Sequence, residues 1–339
     1  MPPFARSPLA CAPADAGDLA ASSNTVQGSG EPVPEALTEV LIEGRQPHGA
    51  ADTYWDFFPR SGRHQRAEEV TDFYEVRPFP GYAASETRAS LSDRLGRSPF
   101  LKALDAGVPA RARVLDAGCG TGQLSAYLAL CGSRRSVVSV DACSASLGEA
   151  SGFRKRAELE HWHLLRADLF DLPVQERAFD VVLSRGVVHH TPDPERASRE
   201  VARRVKPGGI LVLGFYESLG RLFHRMRMRV SQVTGKPLAL LDPVLRRKDL
   251  SEDQREAWIA DQYRHPLEVL LPAPRVAEWL RSEDFEVLRC IPPHAEGDAL
   301  FTHSGAKRPG EGRVRLGWLL GGPRDADAGL VFLIARRKG

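Results

Sequence analysis

The stretch with the clearest chemical potential covers residues 114–126 and reads VLDAGCGTGQLSA. An apolar run leads to Asp116, and three alternating glycines follow before a helical pattern begins near Gln123. Glycine lets the backbone adopt positive φ, and a ligand can approach it without meeting a Cβ. A helix that starts here would point its free N–H groups at that ligand. A carboxylate beside the turn would repel a pyrophosphate and suits a cationic ligand.

Two phosphate-binding signatures fit this loop less well. The dinucleotide fingerprint requires a third glycine where this chain has Gln123, and the P-loop requires a Gly-Lys-Ser/Thr sequence that is absent. The remaining pattern is Asp-x-Gly-x-Gly-x-Gly, from Asp116 to Gly122.

Further polar residues follow other apolar runs of the chain. Asp141 stands about twenty residues after the glycines, where an acidic side chain can accept both hydroxyls of a ribose. Asp168 follows a weaker apolar run, and the pair His189-His190 follows the run DVVLS. Imidazole titrates near neutrality, so either histidine is a candidate general base.

These residues require strands and helices in alternation to bring them together. Short apolar runs bounded by turn residues predict buried parallel strands, and ligands bind beyond the carboxyl ends of such strands. The predicted strands are 113–115, 136–140, 161–165, 180–184, 210–215, 285–291 and 329–335.

The ordered motifs resemble those of the class I S-adenosylmethionine (SAM)-dependent methyltransferases. They are DAGCGTG, the acidic Asp141, the segment RADL and the segment HHTPDPERASREVARRVKPGGILVL, which together cover residues 110–216. The last segment is similar to the methyltransferases of the ubiquinone and menaquinone branch. The resemblance implies an α/β fold with a Rossmann-like, seven-stranded, doubly wound sheet whose final strand is antiparallel, between the fifth and the sixth. It also implies SAM as the cofactor.

The resemblance assigns site residues by motif. The methionine part of the cofactor would contact Asp116, Gly118 and Gly120, the ribose Asp141, and the adenine Asp168 and Leu169. Further cofactor contacts are expected from Cys119, Ala142, Ser184 and Arg185. The catalytic candidates are His189 and His190, either of which could instead support the loop or pack on the adenine. No metal site is predicted.

Two segments outside the motifs supply candidate substrate residues. The aromatic sequence DFYEVRPFPGY precedes the first core strand, and its two prolines could hold aromatic side chains rigidly. The sequence WIADQYRHPLE lies in the insertion and mixes aromatic with polar groups, as binding pockets do. Both segments could instead serve only packing. The substrate candidates are Tyr74, Phe79, Tyr82, Asp261, Tyr263 and His265.

The chain divides into five predicted parts. They are a disordered tail (1–45), a helical and aromatic cover (46–109), the SAM-binding core (110–216), a helical lid inserted after the fifth strand (217–271) and the completion of the core (272–339). Within the cover, residues 91–104 predict one helix. Residues 292–327 form a long connection rich in Gly and Pro.

A basic amphipathic helix is predicted at residues 220–230. Arg221, Arg225 and Arg229 are spaced at i, i+4, and an apolar stripe runs alongside them. Such a helix could contact an anionic substrate, a membrane surface or a protein partner. A solvated charged face over a small apolar stripe is the commoner outcome and is the expectation here.

The composition limits which classes of protein the chain can belong to. A formal net charge of +2 over 339 residues argues against obligate nucleic-acid binding. The five cysteines form no CxxC pair, and the first residues lack the pattern of a secretory signal, so a cytoplasmic protein is expected. No apolar run approaches the roughly eighteen residues of a membrane span. Oligomeric state is left open.

Three functions are compatible with these patterns. The first is transfer of a methyl group to an O, C or N atom of a small molecule enclosed under the lid. The second is methylation of a protein or RNA, although the chain lacks an Asn-Pro-Pro-Tyr type of motif after the fourth strand. The third is a SAM-binding scaffold without catalysis.

Overall fold

The apolar runs of the sequence form the strands of one mixed sheet. The structure is a computed structural model that describes residues 33–50, 54–59, 64–235, 245, 252–292, 297, 299–302 and 330–339. The strands in this part of the chain are β1 (Gly49–Ala50), β2 (Trp55–Asp56), β3 (Arg113–Ala117), β4 (Ser136–Asp141), β5 (Trp162–Arg166), β6 (Phe179–Arg185), β7 (Val205–Tyr216), β8 (Phe285–Ile291) and β9 (Leu330–Arg337).

Helices cover both faces of this sheet. They are α1 (Glu35–Thr38), α2 (Gln65–Val76), α3 (Arg88–Gly96), α4 (Pro99–Gly107), α5 (Gln123–Cys131), α6 (Ser144–Arg156), α7 (Pro194–Arg203), α8 (Leu222–Thr234), α9 (Glu252–Tyr263) and α10 (Ala273–Ser282), with short 3-10 turns at Leu169–Asp171 and Val188–His190. Adjacent strand residues point to opposite faces. Val114 of β3 accordingly packs in the apolar cluster that includes α4, α5 and α6, while Leu115 packs in the cluster that includes α7 and α10.

The strand order is β1-β2-β5-β4-β3-β6-β7-β9-β8. Strands β2 to β7 pair in parallel, and β9 is antiparallel to both of its neighbours. The predicted doubly wound α/β sheet is confirmed, including the final strand between the fifth and sixth core strands. All seven predicted strands are present, as β3 to β9, and two further strands, β1 and β2, extend the sheet at β5. Two-residue strands are too short to produce a periodic sequence signal.

The predicted tail ends earlier than residue 45. Leu37 and Val40 are fully buried, and Leu41 bridges to Val174. The prediction of disorder is therefore wrong for residues 33–45. It rested on the composition of the whole stretch, in which a few apolar side chains carry little weight. Residues 1–32 lie outside the described part of the chain.

The single helix predicted at residues 91–104 is two helices. The first, α3, ends at Gly96, and Ser98 caps the second by accepting a hydrogen bond from the backbone N–H of Leu101. Pro99 occupies the first turn of α4. Proline lacks the N–H that a continuous helix needs, but it suits a first turn.

The insertion after β7 contains α8 and α9, in agreement with the helical character expected for residues 217–271. Residues 236–244 and 246–251 of the insertion lie outside the described part of the chain, as do residues 293–296, 298 and 303–329. The predicted cover or connection at 292–327 falls mainly in this last group. The domain boundaries and the lid function stay predictions.

Replacing Gly122 with alanine should destabilise the sheet–helix junction. Gly122 precedes α5 with a φ of 74°, and a Cβ there would lie 2.5 Å from Cζ2 of the buried Trp162. Positive φ costs about 1–2 kcal/mol for a non-glycine residue, and overpacking adds about 1–3 kcal/mol. Urea unfolding of Gly122→Ala should show a loss of about 2–5 kcal/mol.

The matched control for this prediction is Gly44→Ala. Gly44 has a φ of 76°, and a Cβ there would meet no atom within 4 Å. It should therefore cost only the conformational penalty of about 1–2 kcal/mol. Equal losses for the two variants would show that the contact with Trp162 is unimportant.

Candidate active site

A cavity opens beyond the carboxyl ends of β3, β4 and β6, where the direction of strand addition reverses. Such switch points are the usual ligand sites of open α/β sheets. The volume is about 840 Å³, within the range of roughly 300–1,000 Å³ for small-molecule sites. Three stretches of the chain meet here: the cover before β3, the loops at the strand ends, and α9 of the insertion.

The cavity wall contains most of the predicted site residues. Those that line it are Tyr74, Phe79, Asp116, Gly118, Cys119, Gly120, Asp141, Ala142, Asp168, Leu169, Arg185, His190 and Asp261. Their roles stay predictions, but the fold does bring them together.

The loop after β3 is held against the end of β4 by backbone hydrogen bonds. Gly118 N–H and Cys119 N–H both donate to the Val140 carbonyl, at 2.8 and 3.1 Å. Gly120 N–H donates to Oδ2 of Asp141 at 2.7 Å. A Cβ on Gly120 would lie 2.8 Å from the Phe79 carbonyl oxygen. The loop thus lies between β4 and the aromatic cover, and its backbone faces the cavity.

Asp116 ends a buried chain of hydrogen bonds. The Trp162 indole donates to Ser139 Oγ at 2.8 Å, Ser139 donates to Ser125 Oγ at 2.7 Å, and Ser125 donates to Oδ2 of Asp116 at 2.6 Å. Burial raises the pKa of Asp116 to about 6 although the Ser125 hydrogen bond opposes the rise, and the nearby Asp141 adds to it. The chain fixes the carboxylate at the cavity wall.

Asp141 and Asp168, the other two acidic cofactor candidates, accept hydrogen bonds from backbone amides. Oδ1 of Asp141 accepts from Cys143 N–H at 2.9 Å. Burial raises the pKa of Asp141, and its backbone hydrogen bonds counteract part of this rise. Oδ1 of Asp168 accepts from Phe170 N–H at 2.8 Å, which positions Asp168 and Leu169 at the adjacent strand end.

The two adjacent histidines have different positions. His190 lines the cavity, and its Nδ1 lies 2.7 Å from the Leu267 carbonyl oxygen, to which it can donate only with a proton on Nδ1. That tautomer leaves the lone pair on Nε2. Burial lowers the pKa of His190 to about 4. The imidazole is therefore neutral at physiological pH.

His189 is fully buried and lies outside the cavity wall. Its Nδ1 accepts a weak hydrogen bond from Tyr216 N–H at 3.4 Å, and its ring lies 4.1 Å from that of Tyr216. Burial, followed by the neighbouring His190, lowers the pKa of His189. The catalytic role expected of His189 stays a prediction, and in this structure its ring packs behind the wall.

Four other predicted residues also lie outside the wall. Ser184 is fully buried within β6, and the Tyr82 ring stacks on Phe153 at 4.5 Å instead of facing the cavity. Tyr263 packs against His224 at 5.2 Å. The His265 ring packs against the His190 ring, with 3.7 Å between the ring centroids. In each case the side chain takes part in packing, so direct ligand contact is not supported.

The far side of the cavity is formed by a polar network between the cover and the insertion. Tyr74 O–H donates to Oδ1 of Asp261 at 2.8 Å. The Gln262 amide donates to Oδ2 of Asp261 at 2.6 Å and to the Tyr216 hydroxyl at 2.7 Å. These four residues all line the cavity. Two neutral donors therefore orient the Asp261 carboxylate.

Arg221 supports this network from behind. Its side chain is fully buried, and the guanidinium lies 3.6 Å from the centre of the Tyr216 ring. It donates to Oε1 of Gln262 at 2.7 Å and forms an ion pair with Glu268. The expectation that Arg221 belongs to a solvated basic face is wrong, because these partners approach from elsewhere in the insertion.

Several wall residues had no specific signal in the sequence. Tyr216 could have been inferred from its place at the carboxyl end of the fifth core strand, and Gln262 from its place beside Asp261. Arg94 and Glu86 form an ion pair at 2.8 Å in the cover and had no motif around them. Trp258 belongs to the candidate segment WIADQYRHPLE but was not among the substrate candidates, yet it lines the cavity.

His190 should make the unfolding free energy depend on pH in a defined direction. The folded state resists protonation down to about pH 4, whereas an unfolded histidine takes up a proton below about pH 6.5. Stability attributable to His190 is therefore present above pH 6.5 and falls towards pH 4. Between pH 7.5 and 5, wild type should lose about 1–2 kcal/mol more than His190→Gln. Urea unfolding at both values measures this difference, and identical losses would contradict it.

Comparison with known proteins identifies the core. Residues 115–213 match the family described as methyltransferase domain. The chain is 27% identical over 215 residues to an uncharacterized protein of Synechococcus sp., covering 57% of this chain and 50% of that one. It is 31% identical over 140 residues to a malonyl-[acyl-carrier protein] O-methyltransferase of Methylovorus sp., covering 40% and 47%. It is 32% identical over 113 residues to a ubiquinone biosynthesis O-methyltransferase of Maricaulis maris, covering 33% and 43%.

The chain spans about half the length of these curated relatives, and the matched part contains the loop, Asp141, Asp168 and the histidine pair. This is the part that surrounds the strand ends of the cavity. Residues 115–213 are therefore a methyltransferase domain, of the class I type that uses S-adenosylmethionine.

Proposed function

We propose that this protein transfers a methyl group from SAM to a hydroxyl group of a small molecule. The observation that carries the proposal is that one cavity joins two chemically distinct walls. One wall has the loop after β3 with Asp116 and Asp141, and the other has Asp261 with its donors Tyr74 and Gln262. A donor and an acceptor can occupy such a cavity side by side.

The residues present at the strand ends fit the cofactor. The Asp141 carboxylate accepts backbone hydrogen bonds from Gly120, Cys143 and Ala142, and its remaining acceptor capacity is available to the ribose hydroxyls. Gly186 lines the cavity with open space where a Cβ would stand. Asp116 adds a carboxylate near which a cationic group is stabilised. Asp168 and Leu169 would hold the adenine.

When bound, SAM supplies an electrophilic methyl group. The protein's contribution is to align the acceptor with that methyl group, and alignment can supply most of the acceleration. Tyr74, Phe79, Tyr216 and Trp258 line the acceptor wall. These aromatic side chains exclude water and restrict how a small molecule can lie.

Asp261 is the group best placed to accept the acceptor's proton. It is buried at the wall, and its described partners are the neutral donors Tyr74 and Gln262. The oxygens therefore retain lone pairs for a substrate hydroxyl. We prefer Asp261 to His190 on geometry, because Asp261 has two carboxylate oxygens at the wall whereas His190 offers only Nε2, its Nδ1 being paired with the Leu267 carbonyl oxygen. We assign His190 a positioning role through Nε2.

Two further observations support an oxygen acceptor, and the second of them favours one of low mass. The relatives from Methylovorus and Maricaulis are both named O-methyltransferases. The insertion contributes Trp258, Asp261 and Gln262 to the wall, so the acceptor side is covered. A covered site favours a small molecule over an RNA or a folded protein.

Asp141 should control cofactor affinity. Loss of charge-assisted hydrogen bonds to two ribose hydroxyls should weaken binding at least about a hundredfold. Calorimetric titration of SAM into Asp141→Ala and Asp141→Asn tests this. The asparagine variant can still accept the Gly120 hydrogen bond. A loss of affinity in this variant therefore reports on contact with the ligand and not on the structure of the loop.

The control for this experiment is Asp93→Asn. Asp93 is exposed and forms an ion pair with Arg97 on α3, so the affinity for SAM should be unchanged. Equal affinity of wild type and both Asp141 variants would exclude the ribose assignment. Failure of wild type to bind SAM would exclude the proposed function.

Asp261→Asn should separate catalysis from cofactor binding. Loss of the proton-accepting carboxylate should lower kcat by roughly 10²- to 10⁴-fold, with the affinity for SAM unchanged. The assay follows transfer of labelled methyl groups from SAM to a panel of phenols, aliphatic alcohols, carboxylic acids and amines.

The matched control is Glu256→Gln, on the same helix. Glu256 forms ion pairs with Arg77 and Arg264 and does not line the cavity. It should retain full activity. Equal kcat values for wild type and Asp261→Asn would remove Asp261 from the reaction, and transfer only to amines would overturn the hydroxyl assignment.

A further inference from the structure

Helix α8 exposes an apolar surface that the proposed function does not use. In the described part of the chain, seven large apolar side chains are exposed, and five of them belong to this 13-residue helix. Their exposed fractions lie between 39% and 88%. The five are Leu222, Phe223, Met226, Val230 and Val233.

These five side chains lie on one face of the helix. At about 100° per residue, their positions fall within an arc of about 100°. The opposite side of the helix carries His224, which is buried and pairs through Nε2 with the Gln262 carbonyl oxygen at 3.0 Å. The helix is thus attached to the protein by one side, and the side turned away from the attachment is apolar.

Arginines flank the apolar arc on both sides. On the same angular scale, Arg225 and Arg229 lie just before the arc and Arg227 just after it. Arg225 and Arg229 are exposed, and neither makes an ion pair within the described residues. The helix sequence LFHRMRMRVSQVT contains no acidic residue. The exposed surface of α8 therefore consists of the apolar arc, the arginines beside it and the neutral Gln232 and Thr234.

The attachment also fixes the orientation of this surface. The residue before the helix, Arg221, is fully buried against Tyr216, and its ion pair with Glu268 joins the start of α8 to the end of the insertion. A helix that rotated to bury its apolar face would have to break these contacts. The apolar arc is consequently held outward.

We propose that α8 binds the surface of an anionic lipid bilayer. Apolar side chains of this arc would enter the boundary between headgroups and acyl chains, as interfacial amphipathic helices do. The exposed Arg225 and Arg229 would then lie at the level of the lipid phosphates along one side of the helix, with their aliphatic stems along the apolar boundary. Arg227, on the other side, is half-buried beside His224. The positive charge of the exposed arginines complements a negative planar surface. The chain would lie on the membrane, and no described helix is long and apolar enough to cross one.

Vesicle co-sedimentation of the full chain tests this proposal. The probes are vesicles of phosphatidylcholine alone and of phosphatidylcholine with about a third phosphatidylglycerol. Wild type should bind the anionic vesicles and bind them less strongly as salt is raised. The combination Met226→Glu with Val230→Glu should lower the partition coefficient at least about tenfold. Arg225→Gln with Arg229→Gln should also lower it about tenfold and reduce its salt dependence.

Two exposed residues on other elements provide matched controls. Val76→Glu changes an exposed valine at the end of α2, and Arg97→Gln changes an exposed arginine after α3. Both should bind vesicles as wild type does. All variants should keep the wild-type affinity for SAM, which shows that they are folded and separates this test from that of the proposed function.

Three outcomes would overturn the proposal. The first is absence of binding to anionic vesicles by wild type. The second is binding that the Met226 and Val230 substitutions leave unchanged, which would place the contact elsewhere. The third is a concentration-dependent dimer in size-exclusion chromatography that these substitutions dissociate, without vesicle binding. That result would show that a second copy of the chain covers α8.

Discussion

The cavity depends on the way the loop after β3 is held against the end of β4. The two strands pair in register up to Ala117 and Val140, so the chain must turn immediately as it leaves β3. Backbone N–H groups of the turn donate to Val140 and to the Asp141 carboxylate. The same bonds bring Asp116 and Asp141 to the cavity wall, where burial raises the pKa of both. Strand pairing thus determines where the acidic groups lie.

The second constraint is a set of hydrogen bonds between segments that are far apart in the chain. Tyr74 from the cover, Tyr216 from the end of β7, and Asp261 with Gln262 from α9 are joined by three hydrogen bonds. Buried polar groups of this kind must all be satisfied together. The network therefore fixes the insertion relative to the sheet, and it orients the one carboxylate on the acceptor wall that we assign to proton acceptance.

Local sequence patterns predicted the parts of the site that depend on local structure. The apolar runs predicted the core strands, because each strand is buried on both faces and reads as a continuous apolar stretch. The place of the final strand in the sheet came from the resemblance to class I methyltransferases. The spacing of the glycines predicted the loop after β3. The two-residue strands and the break before Pro99 are too short to produce a periodic signal in the sequence.

Side-chain direction was less predictable. Phe79 and Tyr82 belong to one aromatic segment, yet Phe79 lines the cavity and Tyr82 stacks on Phe153. Arg221 was spaced with Arg225 as if for a solvated face, but it is buried by Glu268, which lies 47 residues further along the chain. Such partners are set by tertiary packing, and no local window contains them.

The charge of the cavity wall has a consequence for product release. The Glu86–Arg94 ion pair is internally balanced, which leaves Arg185 and four carboxylates among the charged wall residues: Asp116, Asp141, Asp168 and Asp261. SAM carries a positive sulfonium that S-adenosylhomocysteine lacks. Methyl transfer therefore removes one favourable Coulomb interaction with a predominantly negative wall. If SAM binds here as proposed, this electrostatic contribution would favour the reactive cofactor over the spent one and would therefore assist product release.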